Sequence, residues 1–200
     1  MPTLGEGFVG INPPAARVTA DGGIDAQTDS SRKNAPGQIA FYRDAKGRWS
    51  ALKYVQAFAS IPKGAVITQV HAAEATTGGV SSAGISQDPN VVTVASIGQF
   101  NNLTPAGISA VDVNNTGYWF WAYIAGYCPD AAMPSTYASG QPLRMSATYA
   151  GRLSSAQINA SFACVGATIP IRAVAVSLGA HTVSTANSTN SVMIQGWLNA

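Results

Sequence analysis

This chain is short of charge, of cysteine and histidine, and of long apolar runs. Charged residues make up 10% of its 200 residues, against roughly 25% in an average soluble domain. Together with the abundance of Ala, Gly, Ser and Thr, that shortage suits surfaces that become buried only on assembly. No apolar run reaches the roughly 18 residues of a membrane-spanning helix, so no membrane partner is expected. The opening MPTLGEGFVGINPPAARV lacks the basic start and apolar centre of a signal peptide, which predicts synthesis and folding in the cytoplasm.

Two cysteines, Cys128 and Cys164, are too few for a disulfide framework. In a reducing cytosol each is expected as a buried free thiol. The two histidines, His71 and His181, stand in different segments with no partner at ligand spacing, so no metal ligand is expected. Asp21, Asp25 and Asp29 recur every four residues but lack the calcium-loop pattern and its terminal Glu, and they read as turn formers. The nearest approach to a nucleophile elbow, Gly79-Val80-Ser81-Ser82-Ala83, ends in Ala, and no glycine loop runs into Lys-Ser or Lys-Thr. No catalytic residue or cofactor site follows from any motif, and the chain does not read as an enzyme. Four sequons, at Asn102, Asn114, Asn159 and Asn187, read as chance in a chain rich in Asn, Ser and Thr.

Against that background the segment Gly37–Gly64 stands out. Asp44-Ala45-Lys46-Gly47 is a turn sequence, with Asp suited to the first position and Gly to a following φ > 0. Ile39 and Phe41 alternate with Ala40 and Tyr42 before it, and Trp49, Ala51, Tyr54 and Val55 follow it, which predicts a hairpin. The second strand is expected to end near Ile61-Pro62-Lys63-Gly64, where Pro62 cannot donate to a ladder.

Most of the positive charge sits in this stretch. Arg32, Lys33, Arg43, Lys46, Arg48, Lys53 and Lys63 are opposed only by Asp44, whereas residues 1–29 hold Glu6, Asp21, Asp25 and Asp29 against Arg17. A net charge of +2 therefore hides a polarised chain. The bland reading of the basic stretch is a solvated hairpin edge protected from pairing by its Lys and Arg side chains. The sharper reading is a docking face for an acidic protein surface, with Arg32, Lys33, Arg43, Lys46, Arg48 and Lys53 as contacts. Direct nucleic-acid binding is not expected, because neither a domain-wide basic balance nor a recognisable module is present.

Residues 1–36, broken by Asn12-Pro13-Pro14 and Asp21-Gly22-Gly23, read as an extended N-terminal arm, and residues 37–200 as a β-rich main domain. Short strands are expected at Ala65–Val70, Val91–Ile97, Pro142–Thr148, Arg152–Ser154, Ser161–Gly166, Ile171–Leu178 and Val192–Leu198. Thr104–Val111 is expected to form one or two helical turns. Recurrent turn signals predict an all-β fold, an antiparallel barrel or a two-sheet sandwich. The densest aromatic run, Tyr118-Trp119-Phe120-Trp121-Ala122-Tyr123, places large apolar groups on both faces of one strand, so it reads as central or as a subunit contact carried by Tyr118, Trp119, Trp121 and Tyr123. The alternative use of such a stripe is to stack sugars or bases.

Two segments resemble the capsid decoration, or cement, proteins and related minor virion structural proteins of tailed bacteriophages. One is the hairpin, a glycine-led strand, a charged turn and an aromatic strand ending in Ala and Pro-Lys-Gly. The other is Gly117–Gly151, in which Tyr118-Trp119-Phe120-Trp121 leads through Ile124-Ala125-Gly126 to Gly140-Gln141-Pro142-Leu143-Arg144-Met145-Ser146 and then to Ala150-Gly151-Arg152-Leu153. The closing Val192-Met193-Ile194-Gln195-Gly196-Trp197-Leu198 is similar to their terminal strand. The resemblance implies a β-rich virion protein on the outer surface of the capsid, partnered by the major capsid protein and by itself as a dimer or trimer, bridging neighbouring subunits. A receptor- or carbohydrate-binding virion module is the alternative.

Overall fold

The computed structural model describes residues 34–44, 46–70, 90–95, 105–134, 136–146, 148–155, 174–180 and 188–195. Among them the chain is all-β, with ten strands joined in one large sheet. The strands are β1 (Ile39–Arg43), β2 (Trp49–Ala57), β3 (Val66–Gln69), β4 (Val91–Val94), β5 (Gly107–Ser109), β6 (Trp119–Ala132), β7 (Pro142–Met145), β8 (Leu153–Ser155), β9 (Ala175–Ser177) and β10 (Thr189–Ile194). The arm expected over residues 1–36 lies outside the described residues except for its last three, and the strand expected at Ser161–Gly166 lies outside them altogether.

Two long strands organise the sheet. β2 and β6 pair antiparallel from Ser50↔Gly126 to Gln56↔Trp119. The far edge of β2 is divided, with its first half paired to β1 and its end paired parallel to β4. The far edge of β6 is divided between β5 and β10. Because β4 also pairs with β3, and β3 with β5, the hydrogen bonds close a circuit β2-β4-β3-β5-β6. A second limb runs open across β1-β2-β6-β10-β9-β7-β8.

One strand can serve both limbs only if it bends. β6 is 14 residues long and carries an extra residue twice, once opposite Ala51/Leu52 and once opposite the Asn190/Val192 step of β10. Bulges of this kind bend a strand and increase its twist. Pro129 falls inside the second irregularity, where a ladder donor is dispensable. Beside the first, still in register with Ser50, Gly126 has φ +79 and packs against the Trp49 carbonyl.

The core fills around these two strands. Leu52, Tyr54, Val55, Ile61, Val66, Ile67, Ile108 and Phe120 are fully buried. The Tyr54 ring stacks on Trp119 at 5.5 Å between centroids and tilts against Trp121 at 5.1 Å, contacts worth about 0.5–1.5 kcal/mol each beyond area burial.

The described part of the segment expected to be helical, residues 105–111, is not helical. Its centre is β5, in which Ile108 pairs with Val66 on one side and Tyr123 on the other. The site admits a strand because Gly107 has no Cβ, which would stand 2.8 Å from the Tyr123 carbonyl oxygen. β2 stops at Ala57, earlier than expected, yet the turn at Ile61–Gly64 is present: Ala65 N–H donates to the Pro62 carbonyl and Ile61 bridges to Val113.

Candidate functional site

The β1–β2 turn is built on one carboxylate. Asp44 Oδ1 accepts the N–H groups of Lys46 (2.9 Å) and Arg48 (2.8 Å), and its Oδ2 accepts Arg48 Nε at 2.6 Å. Gly47 closes the turn by donating its N–H to the Asp44 carbonyl with φ +78. Burial opposes the Asp44 charge, but the Arg48 and Lys46 donors outweigh it and hold the carboxyl below the usual carboxylate range. The Arg48 guanidinium in turn lies over the Tyr127 ring, 3.5 Å from its centroid. Burial raises the Tyr127 phenol above its ordinary value, and Arg48 opposes that rise.

One face of the open limb carries exposed apolar side chains on either side of the buried Ala51 and Tyr127. Direct partners across the limb, Tyr42, Ser50, Gly126, Ile194, Ala175 and Leu143, form a row on one side of the sheet, and Ser50, Ile194, Ala175 and Leu143 are buried. Side chains one position away point the other way. There Phe41 is 50% exposed and Trp49 39%, with the Arg43 guanidinium 5.5 Å from the Trp49 ring centroid. Met193 (37% exposed), its partner Val176, Leu178 (41%) and the exposed Pro142 continue that side over β10, β9 and β7. Arg43 also donates from Nε to the Gly47 carbonyl at 3.3 Å, which fixes its stem while it stacks.

The basic residues singled out in the sequence are not equivalent. Arg43 and Lys46 are exposed at the hairpin tip. Arg48 is spent on Asp44 and Tyr127. Lys53 is half-buried opposite Ile39. Lys63 pairs with Asp130 at 2.8 Å, a largely exposed contact worth about 0–1 kcal/mol. Arg32 and Lys33 lie outside the described residues.

The aromatic strand divides as well. Trp121 and Tyr123 are buried in the chain's own core, whereas Tyr118 and Trp119 are half-buried against it. Burial pushes the Tyr123 phenol above its ordinary range. Among the described residues the exposed aromatics are instead Phe41 and Trp49, to which Tyr149 adds a third beside Arg152. Alternation around the turn carries the signal for Phe41 and Trp49, since both sit on the Arg43 side of the hairpin.

Cys128 is a free thiol, fully buried, and burial pushes it up to about 12; Cys164, His71 and His181 lie outside the described residues. Among the described residues no group of three or more His, Cys, Asp or Glu side chains is placed to hold a metal ion. No helix among them is long and apolar enough to cross a membrane. No protein-family model matches the chain, and no curated protein matches it.

Proposed function

We propose that this chain is a structural virion protein that decorates and stabilises a bacteriophage capsid by bridging neighbouring major capsid protein subunits. The observation that carries the reading is one face of the open limb, where Phe41 and Trp49 are exposed with Arg43 at the hairpin and Met193 and Leu178 are exposed farther along the same side. Exposed apolar groups of this kind mark interaction surfaces. Basic groups at the rim raise the association rate with an acidic surface and fix orientation more than they add affinity. Repetition over a shell then multiplies modest contacts through effective concentration.

In this reading the closed circuit β2-β4-β3-β5-β6 is a small barrel that serves as the rigid body, and the open limb is its contact platform. The role is mechanical rather than catalytic. The partners are the major capsid protein and further copies of the chain, and the site of action is the capsid's outer surface. Reversing Arg43 and Lys46 to Glu tests it: attachment to particles slows at low salt, and the difference from the unmodified chain shrinks as salt rises. Equal rates at low salt would remove the hairpin from the contact.

A second reading, a receptor- or carbohydrate-binding virion module, draws on the exposed Trp49 and Phe41 as a stacking platform. Glycan binding lost on Trp49→Ala, with particle attachment intact, would favour it.

A further inference from the structure

We propose that the open edge of β1 receives the N-terminal segment of a second copy of this chain as an added strand. The Asp44 N–H donates to the Arg48 carbonyl, and antiparallel ladders alternate. Ala40 and Tyr42 therefore exchange backbone bonds with Leu52 and Ser50, their register partners. Ile39, Phe41 and Arg43 aim their N–H and C=O groups at the other side, where no strand pairs among the described residues. Such a row is a template for an incoming strand. Phe41 and Arg43 also supply exposed side chains along it, with Lys46 at its end.

The N-terminal segment has the complementary chemistry. Phe8-Val9-Gly10-Ile11 is a short run suited to a strand, and residues 1–29 hold four carboxylates against Arg17 alone. Its charge opposes that of Arg43 and Lys46.

The turn ahead of β1 keeps the residues just before it from pairing back onto β1. Gln38 N–H donates to the Ala35 carbonyl at 3.0 Å, with Pro36 and Gly37 between them and Gly37 at φ +75. This is a type II turn. Types I and II splay the strands they join, whereas two-residue hairpins use the mirror-image turns. The residues next to β1 are thus unsuited to a two-residue hairpin with it. Strand exchange between copies would link neighbours on a shell, so the inference rests on the many-copy reading for the proximity of its partners.

The test is sedimentation velocity on the full-length chain over a wide concentration range, with two variants. Phe41→Pro removes an edge-facing N–H and leaves the bonds of Ala40 and Tyr42 to β2 in place; circular dichroism checks its fold. Val9→Pro blocks the incoming strand and lies outside the described residues; circular dichroism checks its fold too. The unmodified chain self-associates, and each variant alone associates about tenfold more weakly or worse, as expected for the loss of a backbone bond or two. An equimolar mixture of the two regains a one-to-one pair, since one copy keeps its edge and the other its strand. An unmodified chain that stays monomeric, variants that associate normally, or a mixture that regains nothing would each overturn the exchange. Particle attachment by Val9→Pro, measured separately, decides the shell reading on its own.

Discussion

The Arg48 guanidinium bridges the Asp44 carboxylate, 2.6 Å from its Nη2, and the Tyr127 ring, whose centroid lies 3.5 Å from its central carbon. A turn between β1 and β2 is thereby tied to a residue in the middle of β6. Ser50 Oγ donates to the Tyr127 carbonyl from the same strand and reinforces the tie. The hairpin tip is consequently held as part of the sheet, with Arg43 and Lys46 left exposed on a fixed base.

Asp44→Asn is expected to destabilise the fold by about 1–2 kcal/mol at neutral pH, because charge-assisted bonds from Arg48 become neutral ones. The folded-state pKa of Asp44 is depressed. Its contribution is therefore fully present above the unfolded carboxylate value of about 3.9 and is lost as pH falls through the folded value. Urea unfolding of both proteins across acid pH checks this: their stability difference is constant near neutrality and narrows in acid. A difference unchanged by pH would show that the charge is not involved.

Gly126→Ala should be costly, by about 3 kcal/mol or more. A Cβ there meets the Trp49 carbonyl, and the residue already holds φ +79. It lies between the two bulges that bend β6, so thermal unfolding should show an early transition or failure to fold. Wild-type stability would mean that the bend does not depend on this residue.

Strand positions were readable where the signal is local. The Asp44–Gly47 turn, β1, β2, β3, β4, β7 and β8 fall within or close to their expected segments, because alternation and turn residues act over a few positions. β5 was not readable. Three residues, Gly107-Ile108-Ser109, are held extended by β3 and β6, and tertiary pairing of that kind overrides weak local preference. The parallel β2–β4 contact and the two bulges of β6 are likewise set by distant partners. On the candidate surface, alternation puts Phe41 and Trp49 on one side of the hairpin but does not say which side is exposed, and the apolar side formed by Val176, Leu178 and Met193 needed the β9–β10 register. Trp121 and Tyr123 went to the core, since β6 is covered on both faces where the circuit closes.

That division predicts opposite outcomes for two tryptophans. Trp121→Ala should cost about 3–5 kcal/mol of stability, as a buried large side chain packed on Tyr54. Trp49→Ala should leave stability within about 1 kcal/mol, its site being exposed, while weakening particle attachment. Chemical denaturation and a particle pull-down, run on both variants, separate the two roles. Equal loss of stability would contradict the assignment of Trp49 to the surface.

The most direct measurement is electron microscopy of particles purified from cells that make this protein, with the chain labelled in place. The account predicts label in many copies on the outer surface of the head, at contacts between neighbouring capsid subunits. Label confined to the tail, or particles without it, would contradict the account.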